Sequence, residues 1–306
     1  VCSRKKAIVM KAVRGPLIAA VIVTLSCAQP ESRQTETEPT PAEASIVELV
    51  GRGVVSTERN ETFPAEDPLD GSLWFSVYDE SFDAQTVMFA RRTEHGWAAP
   101  EPAPFSGEWG DRAPRFSPDG ETLYFTSNRP RAYGGSTADM NIWQVRRAHD
   151  SWGEPELMGS PINSDEGDIH TSATDHAIWL ASNRAGGLGR SDIYRIGEDG
   201  TIERLSPPIN DENSQPDLWV SPDESWMVLV VTDGPGGYGG DDLYLSRFDG
   251  ESWSVPMNLG PEINSSEYEY GPTLSADGQY LYFTSHRSGS ADVYRVPLSS
   301  VVTGGD

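Results

Sequence analysis

The sequence predicts an all-β fold: a five-bladed β-propeller closed by an N-terminal strand and preceded by a signal peptide and a disordered linker. Three observations carry this. Five segments repeat one strand–turn–strand pattern. The chain is rich in Trp (9), Tyr (11) and Phe (9) and in Gly (30) and Pro (23), without long apolar helical patterns; that mixture favours short strands and tight turns. A short apolar segment, residues 46–50, precedes the first repeat at the place of a missing last strand. The propeller is expected over residues 46–300, a length that forms one all-β domain with an ample core.

Residues 1–27 read as a signal peptide. Met10 opens a stretch with Lys11 and Arg14, an apolar run extends from Pro16 to Leu25, and Ser26-Cys27 ends it. Cations held on the cytoplasmic side, a hydrophobic segment and a small residue at the cut make a secretory signal. The run is short for a membrane span, which needs about 20 residues. Its end, Thr24-Leu25-Ser26-Cys27, resembles a bacterial lipobox, with Ser26 in the expected place and Thr24 where leucine is usual. The resemblance implies that Cys27 is lipidated and becomes the first residue of the mature chain. Ala28 after it is similar to the outer-membrane sorting pattern of diderm bacteria. Cys2 lies upstream of the cut, so no disulfide is expected. Residues 28–45, rich in Pro, Glu, Thr and Ser, lack the apolar side chains that would offset chain entropy and read as a disordered tether.

The repeats follow. Their shared cores are residues 68–77, 117–127, 173–182, 221–231 and 275–285, and the aligned aspartates are Asp70, Asp119, Asp175, Asp223 and Asp277. Intervals of 49, 56, 48 and 54 residues fit propeller blades of about four strands each. Ser-Pro-Asp-Gly is turn chemistry: Pro fixes φ, Asp bonds nearby backbone and Gly tolerates positive φ. The Leu-Tyr-Phe-Thr-Ser run after it suits a central strand. A Gly-rich hairpin leads to a third strand, marked by Ile142-Trp143, Ile193-Tyr194, Leu243-Tyr244 and Val293-Tyr294. A fourth segment ends in Pro161-Ile162-Asn163, Pro208-Ile209-Asn210 or Glu262-Ile263-Asn264. The last unit stops near Val296, so residues 46–50 are expected to complete its sheet and close the ring, removing exposed edges.

These repeats, with Ser-Pro-Asp-Gly before Leu-Tyr-Phe and Gly-Gly before Asp-Ile-Tyr, resemble the WD40-like repeats of TolB-type envelope propellers over residues 60–297. The resemblance implies a propeller working in the periplasm, on the inner face of the outer membrane in a diderm host. TolB-type propellers have six blades, and five are counted here, so TolB's own role is not carried over.

Charge narrows the partners. The chain holds 23 basic and 47 acidic residues; five of the basic ones precede Cys27, which leaves 18 against 47 beyond it. Such a surface repels nucleic acid and anionic membrane and suits cations, basic partners or neutral ligands. The expected partners are an envelope protein or a glycan, with membrane attachment through the lipid alone and a monomeric propeller.

Two repeated charges read as structural. Arg129, Arg184 and Arg287 follow the second strand; Asp192, Asp242 and Asp292 open the third. Placed at the two ends of one hairpin, they are expected to pair within each blade. Unit four has Asp233 at the arginine position, so Asp242 is expected to lack a partner.

The functional candidates lie in the segments leading into each first strand, because inner strands and their lead-in loops line a propeller's channel. These segments differ among the units and gather Asp111, Arg112, Asp168 and His170, then Gln215, Asp217, Glu267, Glu269 and Tyr270. Polar groups converging on a concave site are the default ligand-site hypothesis. The reading is a binding or scaffolding module; the alternative is a glycoside hydrolase using Asp111, Asp168, Asp217 and Glu269 as acid and base. No catalytic set is assigned. Sialidase-type repeats place Asp and Gly apart with a following Trp, whereas here they are adjacent, and no Gly-x-Ser-x-Gly elbow occurs. Calcium is the one candidate metal, at the acidic loops 164–168 and 239–242, without an EF-hand; the histidines, including His170 and His176, lack zinc spacing.

Overall fold

The computed structural model describes residues 45–78, 85–130, 140–149 and 151–302. The signal peptide, Cys27 and the tether to residue 44 lie outside the described residues. The observed fold is the expected all-β propeller, with five antiparallel blades. The inner strands are Asn60–Glu66, Asp111–Phe116, Asp168–Ala173, Leu218–Val220 and Glu269–Leu274. Each neighbours the next and the fifth returns to the first, which closes the ring around an axis.

Closure is completed at the outer edge. Glu48–Leu49 pairs antiparallel with Asp292–Pro297, Glu48 opposite Arg295 and Leu49 opposite Tyr294, and the Val50 amide donates to Val293 O at 2.9 Å. The N-terminal segment is thus the fourth strand of blade 5. Among the described residues the core is divided into six apolar clusters. Five lie between adjacent blades: Trp74 with Phe125, Ile142 with Leu180, Trp179 with Leu229, Leu243 with Phe283, and Tyr282 with Phe75. The sixth joins Phe63, Tyr78 and Ala113.

Small polar devices repeat around this core. In the turns, the Ser117, Ser221 and Ser275 hydroxyls donate to Asp119, Asp223 and Asp277 at 2.6, 2.7 and 2.6 Å. These bonds hold all three carboxyls below their usual range. In the outer segments, Asn163, Asn210 and Asn264 each act as a backbone substitute. Each side-chain carbonyl accepts from the third-strand amide of Ile142, Ile193 or Leu243, and each side-chain amide returns a bond to that residue's carbonyl. Ser106 serves Val87 in blade 1, and Ser56 serves Val293 in blade 5. The hydrophobic residue before each Asn (Ile162, Ile209 and Ile263) is buried between blades.

The glycine-rich hairpins of blades 3 and 4 pack on the lead-in loops of the blades that follow them. A Cβ on Gly189 would lie 1.8 Å from Asn213 O, and one on Gly239 would lie 1.7 Å from Glu267 O. Backbone cannot yield as a side-chain tip can. Gly239→Ala is expected to lose about 1–3 kcal/mol, the usual range for overpacking, read as a lower urea midpoint; an unchanged midpoint would show that the blade 4–blade 5 seam is loose.

Candidate functional site

At the head of each inner strand stands a buried polar residue: Glu61, Asp111, Asp168, Gln215 and Glu269. Three carry an arginine from the end of the second strand. Arg129 grips Asp111 with Nε and Nη2 at 3.1 and 2.9 Å. Arg184 Nη2 reaches Asp168 at 2.7 Å, and Arg287 Nη2 lies 3.5 Å from Glu269. The same guanidinium groups donate to carbonyls of the preceding outer segment: Phe105 for Arg129, Pro161 and Ile162 for Arg184, and Ile263 for Arg287.

This corrects the expected pairing of these arginines with Asp192, Asp242 and Asp292. The register explains it. Asp111, Asp168 and Glu269 sit opposite Ser127, Ser182 and Ser285, two residues before each arginine. The third-strand aspartates instead fold their own hairpins: Asp192 accepts the Leu188 and Gly189 amides, and Asp292 accepts the Ser288 and Ser290 hydroxyls. Asp242 is not left alone; it accepts the Tyr238 and Gly239 amides and the Asn258 side chain at 2.6, 3.2 and 3.0 Å.

The other two blades solve the same problem without a cation. Glu61 accepts the Thr57 amide and hydroxyl at 3.1 and 2.5 Å, and burial raises its carboxyl. Blade 4 places Gln215 at the acid position, where its amide donates to Asp211 at 3.0 Å.

Two residues on, the inner strands present Phe63, Ala113, His170, Asp217 and Gly271 at the axis. Phe63, Ala113 and Gly271 have φ of 52°, 53° and 66°, and each lies within an irregularity of the inner ladder. Such bulges redirect side chains. They also free amides to bond the neighbouring blade: Phe63 N to Thr284 Oγ1, Ala113 N to Ser76 Oγ and Gly271 N to Asp217 Oδ2, at 2.9, 2.9 and 2.7 Å.

A cavity of about 240 Å³ opens here, lined by Phe63, Tyr78, His170, Pro216, Asp217, Asp241 and Tyr270. The rings of His170 and Tyr270 lie 4.6 and 5.1 Å from that of Phe63. Toward the turn end of the axis, a second cavity of about 200 Å³ is lined by Ala65, Arg115, Ser172, Trp219 and Thr273, among others. Arg115 donates to Pro64 O and Pro114 O, and its Nη2 lies 3.8 Å from Asp217 Oδ1, a pair that joins blade 2 to blade 4 across the axis. Wider clefts of about 470 and 380 Å³ open between blades 3 and 4 and between blades 2 and 3. Their ionisable residues are exposed or, as Arg195 with Glu224 at 2.9 Å, paired.

Burial governs the electrostatics. It pushes the Asp217 carboxyl up to about 6, against the opposing pull of Arg115 and of the Leu218 and Gly271 amides. It raises Asp241, with Asp233 and Asp242 adding to the effect. It drives His170 well below the usual histidine range, helped by Arg112 and Arg115, so this imidazole is neutral at pH 7. Buried side chains lacking a hydrogen-bond partner among the described residues concentrate at these inner strands: Thr62, Arg112, Arg115, His170 and Gln215 each carry such an atom. Buried polar atoms are nearly always paired, so the axis is where polar atoms from outside the chain fit.

A pH dependence follows. The raised Asp217 binds its proton more tightly in the folded state, so its contribution falls as pH rises from about 4 to about 6 and is flat above. Relative to Asp217→Asn, the natural chain is expected to lose on the order of 1 kcal/mol per pH unit within that window. Urea unfolding of both chains from pH 4 to 8 measures this; a constant difference would mean that Asp217 titrates normally.

Of the residues singled out from sequence, the structure brings His170, Asp217 and Tyr270 together in the axial cavity. Arg112 is half-buried beside it, Glu267 is exposed, and Asp111, Asp168, Gln215 and Glu269 are held in the bonds that fix the strand heads. Tyr78 was missed, and Asp241 was read only as part of an acidic loop suited to calcium, because they come from the second and third strands. Their signal was the departure from the repeat: Tyr78 stands where Asn128, Asn183 and His286 stand in other units, and Asp241 doubles the conserved position of Asp242 within this chain.

Among solved structures, the chain is similar to a protein assigned as TolB of Agrobacterium tumefaciens, at 19% identity over 74% of this chain and 70% of that one, TM-score 0.47. It is similar to a Hadza microbial sialidase at 13% identity over 79% of this chain and 66% of that one, TM-score 0.50. A gluconolactonase of Xanthomonas campestris matches at 12% identity over 83% and 88%, TM-score 0.48. At these identities the likeness concerns the fold alone. No family model matches the chain, and no curated protein does. Among the described residues, no helix is long and apolar enough to cross a membrane.

Proposed function

We propose that this chain is an exported, envelope-anchored binding module that takes its ligand, a segment of an envelope protein or a glycan, at the axial cavity. One observation carries the reading. The five copies agree where side chains hold the fold and diverge at the axis, where Phe63, Tyr78, His170, Asp217, Asp241 and Tyr270 converge and unpartnered buried polar atoms gather. A concave, largely aromatic surface with a few converging polar groups is what a binding module needs. The signal-like segment before Cys27 and the lipobox-like residues at its end support the envelope as its place.

A hydrolase would need two working carboxyls roughly 5–10 Å apart. Asp111, Asp168 and Glu269 are bound to arginines, and both oxygens of Asp217 accept backbone amides, which leaves the module reading ahead. The test is binding on glycan and peptide arrays. Tyr270→Ala is expected to weaken retained ligands by about ten-fold or more, as loss of a central aromatic anchor does, while Val255→Ala on the exposed rim leaves them unchanged. Equal binding by Tyr270→Ala would remove the axial site. Glycan cleavage abolished by Asp217→Asn would replace the module with an enzyme.

A further inference from the structure

We infer that the axial cavity selects an organic ammonium group, carried by a small amine or by an amine-bearing end of a larger ligand. The inference rests on the cavity being the binding site and adds the ligand's chemistry. The lining combines the rings of Phe63, Tyr78 and Tyr270, the His170 imidazole and the carboxyls of Asp217 and Asp241, without a lysine or arginine. Aromatic faces attract cations, most strongly where water is excluded.

The hydrogen-bonding inventory points the same way. His170 is buried, and its Nδ1 has no partner among the described residues. A neutral imidazole nitrogen can accept a hydrogen bond from an ammonium N–H. Asp241 accepts one hydroxyl hydrogen bond, from Thr232 at 2.6 Å, and among the described residues no cation lies within ion-pair distance of it. Asp217 has one cation, Arg115 at 3.8 Å, and accepts the Leu218 and Gly271 amides.

Competing ligand classes fit less well. Arg112 and Arg115 lie near His170, but a carboxylate ligand would have to sit against Asp217 and Asp241, with Asp233 and Asp242 close behind Asp241. A bare metal ion needs several ligands at one point, and among the described residues no three His, Cys, Asp or Glu side chains converge that way. The acceptors are instead spread around a space of about 240 Å³, which suits a cation with a carbon body smaller than a drug-sized ligand. The formal charge of −24 concentrates such ions near the protein.

The test uses the full chain and three probes of one shape: butylammonium, butan-1-ol and butyrate. Binding is followed by the NMR signals of the His170 ring. Butylammonium is expected to bind about ten-fold more tightly than butan-1-ol, with butyrate weakest, and to lose about ten-fold in Asp241→Asn. That substitution keeps an oxygen for the Thr232 hydroxyl, so the fold is spared. Tyr268→Phe, outside the cavity lining, serves as control. Equal or tighter binding of butan-1-ol or butyrate overturns the ammonium inference and leaves the binding site standing. No response of His170 to any probe also overturns it, while the Tyr270→Ala array comparison separately reports whether the cavity binds anything.

Discussion

Replacing Val47 and Val50 together by aspartate is expected to open the ring and abolish cooperative folding at 25 °C. Val47 belongs to the cluster between blades 4 and 5, with Phe283 and Tyr294; Val50 belongs to that between blades 5 and 1, with Phe75 and Val293. Both side chains are buried. Each valine contributes about 1.5–3 kcal/mol by leaving water, and each buried, unpaired carboxylate adds a cost of several kcal/mol more. The sum reaches the roughly 5–15 kcal/mol by which whole domains are stable. Two interfaces fail at once, because this strand is the last member of a closed ring. Glu48→Ala makes the contrast: Glu48 pairs with Arg295 at 2.7 Å in partly exposed surroundings, and a bond of that kind is worth about 1 kcal/mol or less. Near-UV circular dichroism during urea unfolding distinguishes the two. A double aspartate variant that still unfolds in one sharp transition would show that residues 46–50 merely decorate blade 5.

That closure was legible in the sequence because it needs only counting: a last repeat one strand short and an apolar segment before the first. The blades were legible for a similar reason, since turn and strand chemistry is local. The arginine partners were not, because pairing depends on register. The chain nevertheless held the clue. Unit four lacks the arginine, having Asp233, and also lacks the acid at the inner-strand head, having Gln215, yet it keeps Asp242. In unit four the residue lost together with the arginine is its partner, whereas unit one keeps its acid, Glu61, without an arginine. The axial cavity was half legible. Sequence placed His170, Asp217 and Tyr270 at the mouth, but three lead-in carboxyls offered as ligand groups are spent on the fold. Tyr78 and Asp241 arrive from strands whose ends reach the axis only after the sheets twist and close.

Arg184→Ala is expected to destabilise the protein by about 3–5 kcal/mol, the usual cost of removing one partner of a buried ion pair. Asp168 is fully buried and would keep the Ser164 amide and the Ser164 and Ser182 hydroxyls but no cation. The carbonyls of Pro161 and Ile162 would also lose a donor, and Tyr194 would lose the guanidinium 4.9 Å from its ring centre. Blade 4 suggests the rescue, because a neutral Gln215 fills the same position there without an arginine. Arg184→Ala with Asp168→Asn is therefore expected to recover a substantial part of the loss, since no charge remains buried alone. Urea midpoints of the two single variants and the double variant give the coupling between the residues. Additive losses would make Arg184 a packing residue and Asp168 an independent cap. Strong coupling would extend the tie's reach: Asp168 stands two residues before His170, so the pair that fixes this strand head also fixes the imidazole at the cavity. The double variant should then regain stability while binding ligand more weakly than the natural chain, because a neutral pair holds the strand head less rigidly than a charged one.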